Sequence, residues 1–207
     1  ATYLDGVGVG ELGSTVGGNI FAGGNVFPTY DGFDISASTT QATYNINDSS
    51  NRTLTLSKTV NSLRSGGGTI TLGNSTTAVT LTLGVGLLTN AGGMAIVSGN
   101  AGSALTSSGS ELFVFTNQGT TSLNTRITGN IDLVKSGGGT LWLGPGAGVS
   151  NNYTGTTYVN QGTLVLNGSA STLVIPGDLV INNATVTMAN GNKFDATTGQ
   201  IAATSNV

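Results

Sequence analysis

Residues 131–168 read IDLVKSGGGTLWLGPGAGVSNNYTGTTYVNQGTLVLNG. Two units in this stretch share one form, Leu141-Trp142-Leu143 and Leu164-Val165-Leu166. In a β-strand, residues i and i+2 face the same side. Each unit therefore sends two leucines into a core and one residue outward. Each is bounded by Gly, Asn or Ser, the residues of tight turns. The same form recurs at Leu54-Thr55-Leu56, Ile70-Thr71-Leu72 and Leu81-Thr82-Leu83. Further strands are expected at Met94–Val97, Leu112–Phe115, Leu123–Ile127, Leu179–Ile181 and Ala184–Met188. Helix signals are nearly absent, because no sustained i, i+3, i+4, i+7 apolar stripe occurs and Gly interrupts every segment.

The stretch also has a partner elsewhere in the chain. Leu63–Gly73 reads LRSGGGTITLG and Val134–Gly144 reads VKSGGGTLWLG, an offset of 71 residues. Ser65/Ser136, Gly66/Gly137, Gly67/Gly138, Gly68/Gly139, Thr69/Thr140, Leu72/Leu143 and Gly73/Gly144 match, and Arg64 aligns with Lys135. Short strands within a repeating period imply coils stacked along an axis, a solenoid. A β-sandwich has similar strand spacing. It has no need to reuse one Ser-Gly-Gly-Gly-Thr turn, whereas a β-helix does, since its corners stack.

The order of residues resembles the autotransporter-associated β-strand repeat, also called the passenger-associated transport repeat. That pattern is a Leu-x-Lys-x-Gly-x-Gly-Thr-Leu-x-Leu block, then Asn-x-Tyr-Thr-Gly-x-Thr, then Gly-Thr-Leu-x-Leu. The matching residues are Leu133, Lys135, Gly137, Gly139, Thr140, Leu141 and Leu143; then Asn152, Tyr153, Thr154, Gly155 and Thr157; then Val159, Gly162, Thr163, Leu164 and Leu166. The departure is a lengthened connection at Pro145–Asn151. The resemblance implies a right-handed parallel β-helix in a long secreted or surface-displayed bacterial passenger. It implies no particular activity, since such passengers serve adhesion, structure and, less often, catalysis. The motif also makes physical sense. Gly permits a corner where a side chain would meet the coil above. Outward Thr can form ladders between coils. Asn-Tyr-Thr-Gly ends a strand with a turn, with Tyr153 expected over the edge.

The first 45 residues differ. They are Gly-rich, lack the Leu-x-Leu unit and hold Tyr3, Phe21, Phe27, Tyr30, Phe33 and Tyr44. Residues 1–45 are read as an N-terminal cap or arm, and 46–207 as the β-helix domain. A cap fits the atypical terminal repeats of solenoids. An arm would place Phe21, Phe27, Tyr30 and Phe33 as candidate self-association residues. The opening ATYLDGVGVG has neither Met nor a basic n-region, which points to a processed end or a piece of a larger protein.

Composition narrows function by exclusion. The 207 residues include no Cys and no His, only 7% charged residues, and 34 Gly. There is no thiolate nucleophile, no His general base and no Cys or His metal site. Net charge is −3 and the six basic residues are scattered, so nucleic-acid binding lacks its electrostatic footprint. No apolar run reaches the roughly 18–20 residues that span a bilayer. Gly8–Gly13 matches G-x-G-x-x-G but lacks the following helix of a dinucleotide site. Ser-Gly-Gly-Gly-Thr lacks the Gly-Lys ending of a P-loop. Asp31 and Asp34 are the close carboxylate pair, and Asp178 and Asp195 the pair that adjacent coils would bring together. General acid/base work on glycosides needs carboxylates within about 5–10 Å, but isolated Asp in turns usually bonds backbone. The calcium β-roll repeat is absent. Asn-x-Ser/Thr triplets at Asn47, Asn51, Asn74, Asn152, Asn167 and Asn183 read as turn residues. Trp142 sits outward, available to stack on a sugar or a subunit or to pack under the Pro145–Asn151 loop.

The expectation is therefore an extracellular or cell-surface structural or adhesive module, self-assembling end to end into a fibre or layer. It is not expected to be an enzyme and needs no catalytic residue set, cofactor or metal. Its expected partners are further copies of itself and surface glycans, with no nucleic acid and no membrane insertion of this segment. The alternative is a carbohydrate-binding or carbohydrate-cleaving β-helix.

Overall fold

The computed structural model describes residues 2–4, 8–10, 30–37, 41–89, 93–146, 148–169, 171–189 and 199–207. All its regular elements are strands. β1 (Thr2–Leu4) and β2 (Gly8–Gly10) form a small antiparallel pair. Every later strand pairing is parallel, in a stack of about six turns, so the chain is an all-β solenoid.

The first coils are built from β3 (Gln41–Asn47), β4 (Arg52–Leu54), β5 (Lys58–Ser65), β6 (Thr69–Leu72), β7 (Thr80–Thr89) and β8 (Met94–Ser98). The next are β9 (Ala104–Ser107), β10 (Glu111–Thr116), β11 (Thr120–Asn124), β12 (Arg126–Gly129), β13 (Asp132–Ser136) and β14 (Thr140–Leu143). The last are β15 (Asn152–Tyr153), β16 (Thr157–Val159), β17 (Gly162–Leu166), β18 (Leu179–Ile181) and β19 (Ala184–Met188). One face is the ladder β4-β6-β8-β11-β14-β17-β19. A second is β9-β12-β15, and a third is β10-β13-β16-β18. The long strands β5 and β7 serve both of the latter faces at once. Where later coils break into two strands, β5 and β7 only bulge: Val60 pairs Leu83 but Ser62 pairs Gly86. Gly86, at φ +139, takes the bend.

The coils are unequal in length. Thr53 pairs Thr71, Thr71 pairs Val97 and Val97 pairs Asn124. Leu123 pairs Leu143, Leu143 pairs Leu166 and Leu166 pairs Met188. The extra residues sit in corners, which is where insertions cost a stack least. The core is a set of inward columns. Its spine is Ile70, Ile96, Leu123, Leu143, Leu166 and Met188, in register from coil to coil. The first five of these are buried and Met188 is half-buried at the last rung.

Most Leu-x-Leu units are inward-outward-inward as expected, at Ile70–Leu72, Leu81–Leu83, Leu141–Leu143 and Leu164–Leu166. Two expectations need correction. Leu54-Thr55-Leu56 is not such a unit: β4 ends at Leu54, the chain bends, and Leu56 is 72% exposed. Leu123–Ile127 is not one strand, because a corner at the buried Thr125 separates β11 from β12.

The boundary drawn between residues 45 and 46 falls within β3. The residues before it, 30–37, lie over the first coil. Ile35 and Ile46 are fully buried there, and Gly32 bridges Ile46 in parallel. The Asp48 carboxylate pins this segment, accepting from the Ile35 N–H, the Ser50 N–H and Arg52 Nε.

Candidate functional site

The repeat motif forms a corner between β13 and β14, with the next coil's corner, between β16 and β17, nested on it. Lys135 is the unexpected part. Its register partners up and down the stack are Val114 and Val159, and the column continues through Leu87, Leu63 and Ile181. A lysine thus occupies a position otherwise filled by aliphatic residues, and it is fully buried. Its stem packs where a leucine would. Its ammonium donates to the carbonyls of Ser136 (2.9 Å), Gly137 (2.7 Å) and Gln161 (2.9 Å). An ammonium has three protons, so all are used. The Gln161 carbonyl belongs to the next coil, so this charge ties two coils together at their corner. Loss of solvation pulls the Lys135 ammonium down to about 8.

The glycines explain how the carbonyls reach it. Gly137 has φ +80, and a Cβ there would lie 2.3 Å from the Thr116 carbonyl of the coil before. Gly162 has φ +72, and its Cβ would lie 2.4 Å from Gly137 O and 2.5 Å from Gly139 O. The three successive corners therefore touch backbone to backbone.

The sequence repeat does not superpose on the structural one. Within the Gly-Gly-Gly run, Gly137 is the left-handed residue in the second copy, but in the first it is Gly68, aligned with Gly139. On the β4–β19 face, Ile70 stacks through Ile96 and Leu123 onto Leu143, whereas the sequence alignment pairs Leu72 with Leu143. The slip of two residues preserves which side chains face inward. On the other face, the column of Lys135 contains Leu63, while Arg64 is half-buried and donates to Asn47 Oδ1. Arg64 and Lys135 are therefore aligned in sequence and different in role.

Tyr153 does not cover an edge. It is buried, with its hydroxyl 2.6 Å from the buried Thr157 Oγ1. Burial pushes that hydroxyl's pKa up. The reason is local: β15 lies in register with Thr128-Gly129, which turns Tyr153 inward and Asn152 out. The remaining motif residues shape the turn. Thr154 Oγ1 donates to Asn130 Oδ1, and the Thr156 N–H donates to Asp132 Oδ1. A Cβ on Gly155 would fall 2.2 Å from that same carboxylate oxygen. Thr140 lies in an outward ladder with Thr120, Thr163 and Thr185, while Leu141, Leu143, Leu164 and Leu166 are fully buried.

The carboxylates considered for chemistry have other work. Asp31 accepts from the Asn45 N–H and Nδ2. Asp34 accepts from the Ser36 hydroxyl and N–H and lies 3.4 Å from Arg52 Nε. The Ser36 hydroxyl, with its N–H and Arg52, holds the Asp34 carboxyl below the usual range. Asp178 accepts from the Asn206 N–H and Nδ2, which lower its pKa likewise. Asp195 lies outside the described residues. Among the described residues no group of three or more acidic side chains is placed to hold a metal. Gly8–Gly10 form β2 of the small hairpin, and the rest of that glycine motif lies outside the described residues.

Of the candidate self-association residues, Phe21 and Phe27 lie outside the described residues. Tyr30 is half-buried with Arg64 6.0 Å from its ring centroid, and Phe33 is 67% exposed. The triplet asparagines mostly serve turns and coil contacts. Asn51 accepts from the Thr69 N–H, and Asn74 from Thr76 and Thr77.

Sequence reasoning missed the buried polar staples. Asn151 accepts from the Ile127 N–H and donates to the Val174 carbonyl, joining three coils at one corner. Ser103 accepts from the Val79 N–H and donates to the Leu72 carbonyl, tying its corner to the corner of the coil before. Nothing in the sequence separates these residues from the many surface Asn and Ser. Only the corner into which they fold does.

No curated protein and no solved structure matches the chain. One family model, described as passenger-associated-transport-repeat, matches residues 133–166, from the column of Lys135 to the end of β17. Residues 133–166 therefore match the passenger-associated-transport-repeat, and they fold as successive coils of a parallel β-solenoid.

Proposed function

We propose that this chain is a scaffold module of a secreted or surface-displayed passenger, a rod whose business is to extend and to present its outer faces. The observation that carries this reading is the nested corner. Backbone contacts from Thr116 through Gly137 to Gly162, tied by the Lys135 ammonium, make each coil the template for the next. Such a stack is stabilised by nearest-neighbour interfaces and can be extended without redesign. The polar residues support the same reading, because Asp31, Asp34, Asp178 and Asn151 are bound into turns rather than gathered around a cleft.

End-to-end assembly belongs to this proposal. Ala184, Val186 and Met188 face inward on the last rung, β19, and are only half-buried. Among the described residues β19 pairs only with β17, and an unpaired strand edge invites a further strand.

Antibody against the folded chain tests display. It should label intact cells of the source organism, and external protease should remove the label. Labelling only after lysis would contradict the reading. Electron microscopy of native material tests assembly: filaments or end-joined rods are expected, and uniformly dispersed monomers would count against it.

A further inference from the structure

The outer face of the β4–β19 ladder carries two columns of side chains in register. Thr120, Thr140, Thr163 and Thr185 form one column in register. Two residues along each strand runs a second column, Ser122, Trp142, Val165 and Thr187. Toward the first coils the second column continues through Ala95 to Thr69. None of these residues is charged. Neighbouring strands place side chains about 4.8 Å apart up the column, and i, i+2 spacing places the columns about 6.5–7 Å apart. The result is two columns of mostly hydroxyl-bearing side chains, with Ala95 and Val165 among them and one aromatic ring set into the second.

Trp142 is that ring. It is 37% exposed, while Leu141 and Leu143 on either side are fully buried and fix the strand beneath it. Among the described residues none hydrogen-bonds its indole N–H. An exposed indole offers an apolar face and a polar edge together.

We infer that this face binds an extended, uncharged polysaccharide of the flat, β-1,4-linked type, seated on Trp142 with its hydroxyls against the threonine columns. The C–H face of a pyranose ring stacks on an indole, and its equatorial hydroxyls reach donors and acceptors at the ring's rim. The spacing along the column is close to the length of one hexose unit. An extended ribbon keeps pace with columns that run in register from coil to coil, whereas a coiled α-glucan does not. The absence of charge selects against acidic glycans, which would find no cation in these two columns. A second copy of the chain is a poorer fit, because Val165 is the one apolar register partner of Trp142 and the rest of its surroundings in the two columns are hydroxyls, not a broad apolar patch. This inference goes beyond the scaffold reading and does not depend on the chain's location.

Trp142 is the chain's one tryptophan, so its emission reports on this site alone. Cellohexaose and chitohexaose are titrated into the purified chain, and co-sedimentation with insoluble cellulose and chitin is measured alongside. A saturable blue shift with at least one hexaose is expected, with co-sedimentation on the matching polymer. Trp142→Ala should weaken co-sedimentation at least tenfold and Trp142→Phe less so. Phe113→Ala, on another face, should leave it unchanged, and circular dichroism confirms that each variant is folded. Thr140→Val, which preserves shape, should weaken binding severalfold. The inference is overturned if neither hexaose nor either polymer binds, or if Trp142→Ala binds within twofold of wild type. Equal binding of polygalacturonate would overturn the uncharged class. A blue shift that grows with protein concentration in the absence of sugar would overturn it in favour of a second copy.

Discussion

Lys135 stands where the coils above and below carry valine, and its ammonium holds three backbone carbonyls. Lys135→Met keeps the stem's volume and removes the donor. It should destabilise the fold by about 1–3 kcal/mol, the cost of leaving buried acceptors unpaired. Urea unfolding at pH 7 measures this. The comparison has a pH dependence. Burial lowers the folded-state pKa to about 8 from an ordinary value near 10.5. Between those values the unfolded chain holds more protons at this residue than the folded one, so Lys135's contribution to stability rises with pH there. The gap between wild type and Lys135→Met should widen from pH 7 to pH 9.5. A constant or narrowing gap would mean that the ammonium is not desolvated. Gly162→Ala tests the other half of the corner. Its left-handed backbone and the carbonyls of Gly137 and Gly139 leave no place for a methyl. A loss of about 2–5 kcal/mol is expected, from backbone strain and overpacking together, and a variant as stable as wild type in urea would refute the nested corner.

At the scale of the strand, the sequence was legible where a strand is half in and half out. Leu-x-Leu bounded by turn residues identified the inward pairs on β6, β7, β14 and β17 because period-two alternation follows from strand geometry alone. It failed where a corner falls inside an apolar run. Thr125 looks like a strand residue and is a corner, and Leu56 looks like a core residue and is exposed after β4 has ended. Lys135's burial was not legible either, since a charged residue in a strand reads as outward and only its carbonyl partners, brought by two different coils, reverse that. The two-residue slip between the sequence repeat and the stack has the same origin. Unequal corners change the spacing, and the core tolerates any even shift. The columns also rank mutational cost. Leu143→Ala removes a fully buried side chain from the middle of the spine and should cost about 2–5 kcal/mol. Met188→Ala, at the half-buried last rung, should cost clearly less in the same unfolding assay. Equal costs would contradict the difference in burial between the two positions.

The whole molecule is a stack with unlike ends. At the start, residues 30–37 lie over the first coil and are held by Asp48 and Arg52. At the other, Ile175 bridges Ile201 in parallel and the Gln200 carbonyl accepts from Val174 and Ile175, so residues 200–201 begin another turn on the coil of residues 174–175. The family match covers only the motif at residues 133–166, but the corner it describes works only because coils lie in register on both sides of it. The registered parallel stack is thus the claim on which the scaffold reading and the glycan-binding face both stand. The chain has no cysteine, so a designed pair tests that register cleanly. Thr140 and Thr163 are direct partners on β14 and β17, and Thr185 lies one coil further on. Neighbouring strands meet the Cα separation a disulfide requires, and strands two coils apart do not. Mild oxidation should close Thr140→Cys/Thr163→Cys within a single chain with circular dichroism unchanged, and should leave Thr140→Cys/Thr185→Cys reduced. Failure of the first pair to close, or equal closure of both, would contradict the account.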